Sequence, residues 1–213
     1  ISDAGKIYFE QYLNRKLDNK VTVSRLGKFN SRQPNMYKQP DSVLVCSCSD
    51  IRADKRIDKI IDVLSLLKCK NVKWVHIGDD NLRTVIEQYA KEKLQNVEYE
   101  FLGMISNPSL LDYYSANYVD LFINLSTSEG IPVSIMEALS ASIPIVATNV
   151  GGTPEIVNQQ NGFLVDADFK VEDVANIVDD YFLMPIDIHQ KYRMNAYSFW
   201  KENYEAGKNY GAF

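Results

Sequence analysis

The chain has 213 residues, 46% of them hydrophobic and 24% charged, with a net charge of −5. That composition is ordinary for a globular protein and is enough chain to bury a sizeable core in one or two domains. It excludes a bilayer-spanning helix, because no run of about eighteen apolar residues occurs, and no secretory pattern opens the chain. The three cysteines, Cys46, Cys48 and Cys69, argue against a disulfide framework and fit a reducing cytoplasm.

The first forty residues read as an amphipathic helix over 2–17, a strand KVTVSRLG at 20–27, and a polar linker KFNSRQPNMYKQP at 28–40. They hold eight Lys or Arg against three Asp or Glu, whereas the rest of the chain holds fifteen against twenty-five. Such asymmetry marks either a solvated basic face or contact with an anionic surface, and the first is the plainer reading. No nucleic-acid motif accompanies it. The chain opens on Ile1 rather than methionine, which reads as a fragment or a processed product.

From residue 42 onward, strands and helices alternate. SVLVCSCS (42–49) is a buried strand, KRIDKIIDVLSLLK (55–68) a helix, VKWVHIG (72–78) a strand and 81–94 a helix. VEYEFLG (97–103) precedes a short helix at 109–116, and VDLFINLS (119–126) precedes the helix PVSIMEALSA (132–141). IPIVAT (143–148) is a strand, TPEIVNQ (153–159) a helical turn and GFLV (162–165) the last strand, before helices over 171–183 and 186–204. This order predicts βαβ units and a doubly wound parallel sheet with helices on both faces. Ligands on such sheets bind beyond the carboxyl ends of the strands, so the loops after residues 49, 78, 103, 126 and 148 are where chemistry belongs.

The loop-and-helix stretch SEGIPVSIMEA (128–138) carries the strongest signal. Pro132 sits at the first position of a helix, so the backbone N–H groups of Val133, Ser134 and Ile135 point back toward the strand ends without partners. A helix start is a ready phosphate site. Glu129 precedes it and Glu137 lies about a turn inside it. Two carboxylates beside a phosphate suit neutral hydroxyls, not the phosphate itself, because an ionised carboxylate accepts O–H donors strongly. A diphosphate flanked by two sugars, a sugar nucleotide, satisfies every group. The spacing alone leaves open a second reading, in which Glu129 caps the helix electrostatically and Glu137 is solvated.

Weaker signals surround it. In DIRADKRID (50–58), Lys55 and Arg56 open a helix against its dipole, which makes sense if an anion lies at the strand ends. In TNVGGTPEIV (148–157), Gly151 and Gly152 permit close approach to a ligand or positive φ. Gly78 and Gly103 each follow a strand directly and make tight turns at the rim. His76 reads as a strand residue near the rim and His189 as a surface residue. Cys46 and Cys48 face the same way on a strand and read as small buried apolar residues, with no second Cys/His pair at metal-ligand spacing. No G-x-G-x-x-G, G-x-x-x-x-G-K-[ST] or G-x-S-x-G occurs, which tells against a dinucleotide-binding domain, a phosphate-loop NTPase and an α/β-hydrolase.

Taken together, VLVCSCSDIRADKRIDKIIDVL, WVHIGDD, FLGMISN, VDLFINLSTSEGIPVSIMEALSASIPIVATNVGGTPEIV and NGFLV resemble glycosyltransferase family 4, the group 1 glycosyltransferases, over residues 42–165. The resemblance is to the C-terminal, donor-binding domain of their GT-B fold. It implies three parts: residues 1–40 as the tail end of an N-terminal domain plus linker, 41–185 as a Rossmann-like nucleotide-sugar-binding domain, and 186–213 as a helix crossing back to the N-terminal domain.

The resemblance also implies roles. Glu129 and Lys55 would be catalytic, Glu129 on the hydroxyls of the transferred sugar and Lys55 on the phosphates. Glu137 would hold the ribose, and the backbone of Gly130, Ile131, Val133, Ser134 and Ile135 would meet sugar and diphosphate. Met104 and Ile105 would border the base, with Gly151, Gly152 and Arg56 completing the donor site. Many members have an arginine where Asp50 stands here, which leaves Arg52 or Arg56 as its replacement. The implied reaction is retaining transfer from a UDP- or GDP-linked sugar to an acceptor hydroxyl in polysaccharide or glycolipid synthesis. No metal or cofactor is implied. The setting is cytoplasmic, extending to peripheral contact with the inner face of a membrane, and the acceptor, a glycan or lipid-linked sugar, binds through an N-terminal domain. The alternatives are a GT-B-like sugar-nucleotide epimerase or phosphorylase-type enzyme, and a non-catalytic nucleotide-sugar-binding module.

Overall fold

A computed structural model describes residues 2–17, 21–38 and 42–211. Six parallel strands form one sheet: β1 (Val43–Cys48), β2 (Val72–Ile77), β3 (Glu98–Gly103), β4 (Leu121–Asn124), β5 (Ile145–Thr148) and β6 (Gly162–Val165). Their spatial order is β3-β2-β1-β4-β5-β6. Val43 pairs with Val72 and Cys48 with Ile77 along β1 and β2, while Val45 pairs with Leu121 across to β4. The chain order reverses between β1 and β4, so a crevice opens between their carboxyl ends. The fold is the doubly wound α/β sheet expected from the alternation.

The helices are α1 (Asp3–Tyr12), α2 (Ile57–Ser65), α3 (Arg83–Lys93), α4 (Asn107–Ala116), α5 (Val133–Ser140), α6 (Val171–Leu183), α7 (Ile186–Asn203) and α8 (Ala206–Tyr210). Strand residues alternate between two buried layers. Val45, Trp74, Leu121 and Val146 face one layer, which α2, α3 and α6 cover through Ile60, Ile86 and Val178. Cys46, Val75, Phe122 and Ala147 face the other, covered by α4, α5 and α7 through Tyr114, Leu139 and Trp200. Each large side chain buried in this way contributes roughly 1.5–3 kcal/mol. That burial on both faces is why the central strands read as continuous apolar runs, whereas the edge strand β3 exposes Glu98 and Glu100.

Four expectations need correction. The helix expected over 2–17 ends at Tyr12, because Asn14 adopts φ 49° and stops it. Residues 21–27, the described part of the expected strand at 20–27, pair with no strand; only Lys28 forms a bridge, to Glu205. His189 is buried, not on the surface: its Nε2 lies 2.8 Å from the Tyr181 carbonyl and its ring stacks on Tyr181. Helix α8 was not expected; the Glu205 carboxylate caps it by accepting from the N–H groups of Gly207 and Lys208.

Over residues 21–38 the basic N-terminal segment is not a solvated face, although Arg15 and Lys16 before it are exposed. Arg25 lies 3.7 Å from Glu155, Lys28 2.7 Å from Glu137 and Arg32 2.8 Å from Asp112, and Lys38 pairs with Asp120. Residues 21–38 therefore form a strap whose cations match carboxylates of the sheet body. The buried Arg193 of α7 secures it further, donating to the carbonyls of Val119 and Asn35 and lying 4.0 Å over the Tyr118 ring. Residues 39–40, the end of the expected linker, lie outside the described residues.

Candidate functional site

The crevice between β1 and β4 gathers the charged groups. After β1 the chain makes a 3-10 turn at Ala53–Lys55, and after β4 it runs through Thr127 to Glu129; Thr127 donates its N–H to the Asp54 carbonyl at 2.8 Å. That bond ties the two loops together and sets Lys55 beside Glu129, Nζ to Oε1 at 2.8 Å. Asn124 Nδ2, at the end of β4, lies 3.4 Å from the same oxygen. Both ionic side chains are largely withdrawn from solvent, at 16% and 11% exposure.

Glu137, one turn into α5, is built the same way. Lys28 Nζ lies 2.7 Å and Asn107 Nδ2 2.5 Å from its Oε1. Its side chain is 8% exposed. The reading of Glu137 as a solvated residue is therefore wrong. Each glutamate has one lysine and one asparagine on a single oxygen, and among the described residues neither Oε2 receives a bond.

Between the two lies the start of α5. Pro132 has extended φ and ψ, and no side chain caps the helix. Its carbonyl accepts from Ile135 and Met136, so the Ile135 amide is not free, contrary to expectation. The amides of Val133 and Ser134 have no partner among the described residues. They remain available to an anion.

These groups line a cleft of about 440 Å³ that includes Lys55, Glu129, Val133, Ser134 and Glu137, with Met104 and Ile105 and the rim residues Cys48 to Asp50. Burial first, then the neighbouring Glu137 and Asp50 carboxylates, push the Cys48 thiol up to about 12, so it lines the wall as a neutral group. Gly78 shapes the rim: at φ +140° its position leaves 1.9 Å between an added Cβ and the Ser49 carbonyl oxygen. A larger concavity of about 720 Å³ lies by Phe163, Ile177 and Tyr192, and no charged side chain lines it.

Other expected site residues lie elsewhere. Arg56 adopts φ 49° and turns away from the cleft. Its guanidinium donates to the carbonyls of Leu125, Ser126 and Ala167 and packs over the Phe169 ring. Arg52 pairs with Asp54 and Asp50 at the surface. Neither arginine is among the residues that line the cleft, and of those Lys55 is the one cation. Ile131 and Ile135 put their side chains in the core. Gly151 and Gly152 approach protein, not the cleft: the Gly152 N–H donates to the Gly130 carbonyl at 2.8 Å, and a Cβ on Gly151 would lie 1.8 Å from the Glu129 oxygen. They buttress the loop that carries Glu129. Gly130 itself borders open space.

Sequence reasoning missed Lys28, Asn107 and Asn124. The excess of positive charge before residue 40 was the available signal for Lys28; nothing local marks the two asparagines.

The chain matches the family model described as "Glycosyl transferases group 1" over residues 29–199. Among curated relatives, it is 32% identical over 119 residues to the O-antigen biosynthesis glycosyltransferase WbnH of Escherichia coli, covering 56% of this chain and 30% of that protein. It is 31% identical over 160 residues to the putative colanic acid biosynthesis glycosyltransferase WcaL of Escherichia coli K12, covering 68% and 38%. The chain thus spans about a third of the length of these relatives. Among solved structures, a glycosyltransferase from Rickettsia africae aligns with TM-score 0.80 at 20% identity, over 100% of this chain and 60% of that one. Anabaena HepE in complex with UDP and glucose aligns with TM-score 0.70 at 23% identity, over 81% and 47%. The C-terminal domain of the group 1 protein LpcC from Francisella tularensis aligns with TM-score 0.69 at 22% identity, over 81% of this chain and 95% of that domain. These likenesses show that the sheet and its helices have the fold of a domain of GT-B glycosyltransferases.

Proposed function

The chain belongs to the group 1 glycosyl transferases, and from that premise we propose that it is the donor-binding half of a retaining glycosyltransferase that uses a UDP-sugar. The observation that carries this reading is the pair of clamped glutamates flanking the unpartnered amides of Val133 and Ser134. A diphosphate on those amides meets the positive end of α5 and the Lys55 ammonium. Glu129 then accepts from hydroxyls of the transferred sugar, and Glu137 from those of the ribose. Met104 and Ile105 border the base.

Lys55 has two tasks in this arrangement. A bare carboxylate about 4 Å from a phosphate is repelled by roughly 4 kcal/mol at the effective dielectric near a protein surface. Lys55 offsets that repulsion, because an ammonium has three donors and can serve carboxylate and phosphate together. As the bond from anomeric carbon to phosphate oxygen breaks, negative charge grows on the leaving diphosphate. Lys55 and the helix start stabilise it there, where it develops. Asp50 at the rim carries the opposite sign, so the phosphate lies toward Lys55 rather than toward β1.

The choice of UDP is supported by HepE, whose complexes with UDP and with UDP-glucose share this fold. The relatives WbnH and WcaL support polysaccharide assembly as the setting. The acceptor binds to an N-terminal domain, of which residues 1–40 form the last part, and beyond α7, which covers the sheet, the chain returns toward that domain. No described helix is long and apolar enough to cross a membrane; residence in the cytoplasm, with peripheral contact at the inner membrane face, is part of the proposal. A thermal-shift panel of nucleoside diphosphates tests the reading, since a ligand that binds only the folded chain raises its Tm. UDP is expected to raise it most. A flat response to every nucleotide at millimolar concentration contradicts the proposal.

A further inference from the structure

We propose that Lys28 is a positioning residue for nucleotide recognition: with Asn107 it holds one oxygen of Glu137 so that the other is presented to the ribose hydroxyls. The inference rests on the donor reading above and adds to it a residue from outside the donor domain.

Four observations carry it. Lys28 and Asn107 both donate to Oε1 of Glu137, at 2.7 Å and 2.5 Å, and among the described residues Oε2 receives no bond. Glu137 is buried to 6% exposure and its carboxylate lines the cleft, so its charge would stand unpaired without the lysine. Lys28 is not a loose surface side chain. Its N–H donates to the Tyr204 carbonyl at 2.9 Å, its carbonyl accepts from Ala206, and Gly27 before it sits so close to Ala206 that a Cβ would come within 2.5 Å of the Ala206 Cα. Finally, the same construction recurs at the other glutamate, where Lys55 and Asn124 share Oε1.

A carboxylate with one oxygen clamped by two donors has lost its rotational freedom before the ligand arrives. Its second oxygen is then fixed in place as an acceptor, and the ordering cost of binding is reduced. Because the strap supplies the lysine, ribose recognition depends on a segment lying before the donor domain.

The test compares UDP with 2′,3′-dideoxy-UDP by calorimetry on the 213-residue chain, for wild type, Lys28→Met, Lys28→Arg and Asn107→Asp. Wild type is expected to prefer UDP by about tenfold or more, the size of one well-formed charge-assisted bond. Lys28→Met and Asn107→Asp are expected to bring the two nucleotides to within about twofold of each other, while Lys28→Arg keeps the preference. A Lys28→Met chain that loses affinity for both nucleotides equally, with its preference intact, overturns the proposal, because the lysine would then be meeting phosphate. Wild type that binds neither nucleotide overturns the donor reading and this inference with it.

Discussion

Lys28 Nζ lies 2.7 Å from Oε1 of Glu137, and so a residue of the N-terminal strap is part of the electrostatics of a cleft formed at the carboxyl ends of β1 and β4. The matching pair, Lys55 and Glu129, is separated by 2.8 Å. Buried carboxylates need partners. Among the described residues each partner leaves Oε2 of its carboxylate without a bond, and the proposed donor site uses that oxygen as an acceptor.

Glu137→Ala is expected to weaken UDP binding by about 1–3 kcal/mol, the loss of a hydrogen bond to a charged group. Calorimetry on the variant checks this. Unchanged affinity means that the ribose lies elsewhere.

Lys55→Met is expected to cost about tenfold to a hundredfold in affinity for UDP and a comparable factor for inorganic pyrophosphate, since it removes the cation among the lining residues. Titrations at low and high salt give a second readout: the salt dependence of binding should shrink in the variant. If pyrophosphate binds equally well to both chains, Lys55 serves only Glu129.

Gly151→Ala tests the buttress. At φ +52° an alanine costs roughly 1–2 kcal/mol, and its Cβ would also displace the Glu129 carbonyl, 1.8 Å away. The variant should lose stability in urea titration and also lose affinity for UDP-sugar relative to UDP, because the displaced loop carries the sugar-binding carboxylate. Loss of stability alone would confine the glycine to a structural role.

His76 predicts a pH dependence. Burial, the largest influence, lowers its pKa to about 4 from 6.5, opposed chiefly by the Ser49 backbone and less by Asp79, with Arg83 helping to lower it. Ser47 Oγ, which accepts from Trp74 Nε1, lies 2.9 Å from Nδ1 and can donate to the neutral ring. The unfolded chain therefore binds a proton that the folded chain refuses. The stability is fully present above pH 6.5 and declines as pH falls toward 4, by on the order of 3 kcal/mol. Urea unfolding at pH 7 and pH 4.5 should show a smaller difference for His76→Gln than for wild type; equal differences would mean that the ring is protonated in the fold.

The sheet was legible because its central strands are buried on both faces, which leaves uninterrupted apolar runs such as those around Val45 and Phe122. The segment 20–27 shows why alternation misleads: KVTVSRLG has the period of a half-buried strand, but residues 21–27 find no strand to pair with. Glu129, Glu137 and Lys55 could be picked out because each lies in a strand-to-helix loop or within about a turn of the start of the helix that follows. Lys28, Asn107 and Asn124 could not, since their partners are set by tertiary packing. Arg56 misled for a different reason. Its place in sequence faces the cleft, but a left-handed backbone turns it onto carbonyls beyond β4.

A crystal structure of the chain with a UDP-sugar bound is the most direct test. The expected result is a diphosphate on the amides of Val133 and Ser134 within reach of Lys55, the ribose on Oε2 of Glu137 and the sugar on Glu129. A nucleotide found in the uncharged concavity by Phe163 and Tyr192, with the α5 start vacant, would contradict the proposed donor site.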